Sequence, residues 1–263
     1  NPHTMSAAYF AQTGAEAETA IAIGRTLAFA AITVAASVLV YYLTVSVRAI
    51  LVSTYEDRWW YFAVGVAAAI VYGVSGLAEL ATAYGETAAA FRFGATLFFF
   101  LFSAVGMRAL YATVHLDRGD FRTLSIPGWA WYVVIGAFIV AWWGAYLSDT
   151  GGAVALVEAV GLAGAVTYSL VFAVLTVRDA EGTAIAAILR QFVPAMIGFT
   201  GIVVAEQAGR YTGIDQGIVV GVELVGTVLV GAFLFTTAVA IRQQGEEVGR
   251  MYDRTTWREQ KLE

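Results

Sequence analysis

The chain has no cysteine, which excludes disulfides, thiolate metal sites and cysteine nucleophiles. Histidine is almost as scarce. His3 stands at the very start and His115 in a polar stretch, too few for a membrane metallohydrolase, and no metal site is expected. Lysine occurs once, as Lys261 in the polar tail, although basic residues number 15. The apolar part of the chain therefore offers no primary amine for a Schiff base. Charge is sparse as well, at 13% of residues. There is no nucleophile with an adjacent base and no GxxxxGK phosphate loop, so an enzyme is not expected. The first residues lack a basic stretch followed by a short apolar run and a cleavage site, so no signal peptide is expected.

What is present is oil. Apolar residues make up 59% of 263, with a mean hydropathy of +0.72, beyond the range of an ordinary soluble domain. The expectation is an all-α polytopic membrane protein, a seven-transmembrane-helix bundle. Residues 1–18 are polar and read as disordered or as a short outer cap. The bundle should occupy 19–242, and 243–263 should form a charged, solvated cytoplasmic tail. The spans are expected near 19–47, 59–82, 88–114, 128–147, 153–177, 184–208 and 215–242. Between them lie YEDR at 55–58, TAYGET at 82–87, the long charged HLDRGDFRTLSIPG at 115–128, SDTGG at 148–152, RDAEG at 178–182 and GRYTGID at 209–215. Trp59, Trp60 and Tyr61 read as an interfacial anchor. Gly217 and Gly221 form a small-xxx-small pair suited to close helix packing.

Charge placement sets an expected orientation. Arg48, Arg58, Arg108, Arg118, Arg122, Arg178, Arg190, Arg242, Arg250, Arg254, Arg258 and Lys261 fall on one side of the spans. Arg25, Arg92 and Arg210 fall on the other. Twelve against three puts the N-terminus outside and the C-terminus in the cytoplasm. Because the basic residues line a membrane face rather than a basic domain, nucleic-acid binding is not expected. The expected partners are the lipid bilayer and a membrane-protein partner or further copies of the chain.

The ionisable residues inside the spans gather in the outer half: Glu79, Arg92, Glu158, Glu206 and Glu223. Glu223 is the most telling. It lies well inside the last span, with Thr227 one turn later on the same face and Gly231 continuing the line. A carboxyl facing lipid is costly, so that face should turn into the bundle with Arg92 as its partner. One reading joins Glu79, Glu158, Glu206, Glu223 and Arg92 in a buried carboxylate and arginine network on the outer side, sharing protons or binding a cation. In the other, favoured for Glu79 and Glu206, those two near the span ends simply reach the outer interface, and Arg25 snorkels there.

The stretch VELVGTVLVG at 222–231 resembles the seventh helix of microbial rhodopsins. The resemblance puts Glu223 at the family's helix-seven counterion carboxylate and Thr227 at the lysine that binds retinal. FRFGAT at 91–96 is similar to the family's third helix, with Arg92 at its gating arginine, Ala95 at the proton acceptor and Thr96 at a retinal-stacking tryptophan. Gly106 then falls at the cytoplasmic proton donor, and Tyr72 at a helix-two tyrosine. VVAEQAG at 203–209 resembles the outer end of helix six, with Glu206 at a proton-release glutamate. Pro194, Ile197 and Gly201 take positions of aromatic pocket residues. Acceptor, donor and lysine are all replaced, so the resemblance implies the frame without covalent retinal or light-driven pumping.

Three functions follow as expectations. One is a retinal-free, opsin-like membrane protein acting as an interaction, signalling or structural component. A second is a proton or cation channel or transporter using the outer carboxylates. A third is noncovalent binding of a carotenoid, retinoid or lipid in the bundle or on its aromatic surface. In keeping with the first, Phe98, Phe99, Phe100 and Phe102 are bulky enough to fill space that a chromophore would need.

Overall fold

Long apolar runs with few breakers leave the backbone one economical choice, to satisfy its own hydrogen bonds as helix. The computed structural model describes residues 2–46, 53–116, 128–148 and 151–259. Among them are seven helices and no strand: α1 (Pro2–Val45), α2 (Ser53–Ala81), α3 (Gly85–Leu116), α4 (Gly128–Leu147), α5 (Gly151–Asp179), α6 (Ala184–Thr212) and α7 (Gln216–Glu259). Six of them, all but α4, are long and apolar enough to cross a membrane. α4 is a helix of 20 residues without a charged side chain.

Several helix limits differ from expectation. α1 begins at Pro2, so the polar N-terminal segment is helical and continuous with the first span. α7 likewise runs past Arg242 to Glu259, so the charged tail is helical as far as that residue. YEDR at 55–58 lies inside α2. In each case nothing breaks the helix: no proline or turn sequence separates the polar residues from the apolar run. Most of the charged stretch 115–128 lies outside the described residues, as do Arg48, Arg118, Arg122 and Lys261. Where helices do stop, the reasons are local. α6 starts at Thr183, whose hydroxyl accepts from the Ala186 amide, and ends at Gly213 in the left-handed conformation at φ 69°.

Six helices close a ring. α1 packs on α2 and α7, α2 on α3, α3 on α5, α5 on α6 and α6 on α7, while α4 leans on α5 outside the ring. Small residues set the close approaches. A Cβ on Gly73 would meet the Thr33 hydroxyl and stand 2.8 Å from the Phe29 carbonyl oxygen, so α1 and α2 touch backbone to backbone there. α5 is fixed to α3 by two hydroxyls seven residues apart. Ser169 donates to the Phe100 carbonyl at 2.8 Å and Thr176 to the Met107 carbonyl at 3.4 Å, matching spacings that hold the two parallel helices in register.

The glycine pair expected to pack closely does not. Gly221 has open space around it, and Gly217 belongs to the turn capped by Asp215. The contacts are made further along α7. A Cβ on Gly226 would press on Ile202 of α6, and one on Gly231 would meet the α1 backbone at Ile32. The expected anchor residues split at the first residue of their span. Trp59 is buried against Phe62, whereas Trp60 beside it is exposed.

Candidate functional site

Five charged side chains from five helices meet inside the bundle, at the end where α3 and α7 begin and α2 and α6 finish, beside the middle of α1. Arg92 is their centre. Its Nη1 donates to Glu206 Oε1 at 2.6 Å and to Glu223 Oε1 at 2.8 Å, and its Nε donates to Glu79 Oε2 at 2.9 Å. Arg25 Nη2 closes the cluster at 3.2 Å from Glu223 Oε2 and 3.9 Å from Glu79 Oε1. Glu223, only 5% exposed, is the carboxyl held most closely by both guanidiniums.

Three of these placements correct the favoured expectations. Glu79 and Glu206 turn inward to Arg92, and Arg25 turns inward as well. The reason is the same for all three. A long side chain near a span end can reach either water or the bundle axis, and a buried guanidinium at the axis offers the stronger partner. Three carboxyl groups thus face two guanidiniums. The carboxyls converge on the arginines, and among the described residues no group of acids or histidines is arranged to hold a metal ion.

Glu158 stands apart from this cluster. It is buried on α5, where it accepts a hydrogen bond from Trp142 Nε1 of α4 at 3.1 Å. Together with Phe138, whose ring lies over Gly161 of α5, this contact fastens the peripheral α4 to the ring.

Below the ion cluster the bundle axis is aromatic. Arg92 sits 5.7 Å from the Tyr72 ring centroid, and Tyr72 meets Phe199 edge-on at 5.1 Å. Phe199 lies 4.6 Å from Phe99, Phe99 lies 5.8 Å from Phe192, and Phe192 lies 4.4 Å from Phe62, which abuts Trp59. This column descends from the cluster toward the opposite end and leaves the centre filled. Thr227 is buried beside its top, with its hydroxyl 3.5 Å from that of Tyr72.

The other positions matched to the opsin pattern scatter. Thr96 is buried, and its hydroxyl donates to the Arg92 carbonyl at 3.1 Å. Ala95 is buried at the edge of a groove between α2, α3 and α4. Gly106 packs on α2 so closely that a Cβ would stand 3.2 Å from the Phe62 nitrogen, leaving no room for a donor carboxyl. On α6 the expected pocket positions are corrected. Ile197 and Gly201 face outward and Pro194 is half-buried. The inward face carries Phe192, Ala195, Met196, Phe199 and Ile202 instead. α6 is apolar on nearly every side, so periodicity alone gave no phase for its inner face. Of the helix-three phenylalanines, Phe99 and Phe100 are interior, while Phe98 and Phe102 line the groove.

Comparison with known family models, curated proteins and solved structures gives no match to this chain.

Proposed function

We propose that the chain is an integral membrane protein of seven spans, N-terminus outside and C-terminus cytoplasmic, built on an opsin-like frame without a covalent chromophore. α4 is the seventh span. Its role is that of an interaction, signalling or structural component rather than a light-driven pump. The observation that carries this reading is the filled axis: Thr227 stands where the resemblance requires an amine, and Tyr72, Phe199 and Phe99 fill the space beneath it. A polyene would have to displace those rings.

The test restores the amine. Thr227→Lys supplied with all-trans retinal should show no visible absorption band, because the aromatic column blocks the site. The same substitution combined with Phe199→Ala and Phe99→Ala should develop one, with Glu223 as counterion. A folded triple variant without a band would overturn the opsin-like register. A band in Thr227→Lys alone would overturn the filled axis.

A second reading, proton or cation transport, draws support from the three carboxyls facing two guanidiniums. Against it stands the interior beyond Tyr72, where Phe62, Phe99, Phe192, Met107 and Leu110 are fully buried and the buried polar groups among the described residues are hydroxyls such as Ser103 and Thr237, with no charged side chain. Reconstituted liposomes should show no flux above protein-free vesicles. A flux abolished by Glu223→Gln would favour transport over the structural role.

A further inference from the structure

An apolar groove of about 450 Å³ runs between α2, α3 and α4. On α3 its lining recurs at Thr87, Ala90, Phe91, Gly94, Phe98 and Phe102, a single stripe down one helix face. From Thr87 to Phe102 that stripe covers roughly 22 Å at ~1.5 Å per residue, more than the ~15 Å depth of one leaflet's hydrocarbon.

We propose that this groove holds one hydrocarbon chain of a bilayer lipid, from the leaflet at the Arg92 end. The site requires the membrane insertion proposed above, and is independent of the opsin-like register. Three observations select the occupant. The floor is made of small residues, Ala67, Ala68, Ala90 and Gly94, and its lip of Val71, Phe91 and Trp143 is exposed to the side, so entry is lateral from the bilayer. The wall is dry. Trp142 spends its indole N–H on Glu158 and turns the carbon edge of its ring toward Gly94. Among the described lining residues the one hydroxyl is Thr87, at the end where α3 begins and a headgroup would lie.

Size decides against a helix of a second copy. A helix of the groove's length and ~10 Å diameter fills on the order of 1,700 Å³. That exceeds all the empty space in the groove, about 1070 Å³, so a helix would rest on the lip and leave the floor empty. A single chain reaches the floor.

The experiment is native mass spectrometry of the full chain released from nanodiscs of palmitoyl-oleoyl phosphatidylglycerol. Wild type should retain one phospholipid. Ala90→Phe and Ala67→Phe, which fill the floor, should lower the retained fraction about tenfold. Val225→Phe, which adds a ring on an exposed face of α7 away from the groove, should retain the lipid. Circular dichroism establishes that each variant is folded, and Ala67→Phe serves if Ala90→Phe does not fold. A lipid-free wild type, or equal retention in the filled variants, would overturn the site. So would a dimer that becomes monomeric when the floor is filled, which would assign the face to a second copy. Recovery of the wild-type chain in the soluble fraction without detergent would overturn insertion itself, and this site with it.

Discussion

The two ends of the bundle axis are filled in opposite ways. At the Arg92 end, five side chains from five helices are joined by directional contacts of 2.6 to 3.9 Å. Beyond Tyr72, the same axis is held by rings whose contacts have no donor or acceptor. Loss of one member has different consequences in the two regions. In the ion cluster the neighbours remain charged and buried; in the column they remain apolar and can shift inward. Packing in a bilayer also lacks much of the water-driven term, since lipid tails are as apolar as the side chains they replace.

The largest effect should come from Arg92→Ala. It leaves three carboxyls around one remaining guanidinium and should cost about 3–5 kcal/mol, the range for breaking a buried pair. Unfolding in a denaturing detergent titration measures it. The sharper form of this prediction is a rescue. Arg92→Met combined with Glu206→Gln and Glu223→Gln leaves Arg25 opposite Glu79, a balanced pair, and should be more stable than Arg92→Ala alone. A triple variant weaker than the single one would show that charge imbalance is not what the cluster manages.

Phe199→Ala probes the column and should cost less, roughly 2 kcal/mol, below the 3–5 kcal/mol usual for such a truncation in a water-soluble core. The cavity would be bordered by Tyr72, Phe99 and Phe100. Equal or greater loss than in Arg92→Ala would erase the contrast between the two regions.

The same contrast explains what could be read in advance. Apolar length was enough to locate the helices, because a bilayer-length run has few alternatives. Glu223 could be turned inward on paper, since the 223, 227, 231 spacing marks one face and a lipid-facing acid is costly. Arg25, Glu79 and Glu206 defeated that reasoning. Each lies close enough to a span end for water to compete with the axis, and which wins depends on a partner from another helix. The inner face of α6 was lost for the opposite reason: a helix apolar all round has no phase, and Phe192 and Phe199 are told from Ile197 only by what surrounds them. The groove depends on α4 standing outside the ring, a long-range fact with no local signature.

The smallest effect should separate the two arginines. Arg25 engages its carboxyls through Nη2, at 3.2 Å from Glu223 and 3.9 Å from Glu79, while its Nε is buried without a hydrogen-bond partner. A lysine supplies one ammonium to the same place and removes the unsatisfied donor. Arg25→Lys should therefore change stability by about 0.5 kcal/mol or less. Arg92 uses two nitrogens, Nε toward Glu79 and Nη1 toward both Glu206 and Glu223. One ammonium on a flexible stem cannot span that fork, and Arg92→Lys should lose at least one charge-assisted hydrogen bond, roughly 1.5–3 kcal/mol. The same denaturing titration reads both variants. If Arg25→Lys proves the more damaging, the centre of the cluster has been assigned to the wrong guanidinium, and the burial of Arg92 reflects packing against Phe93 and Tyr72 rather than its carboxylates.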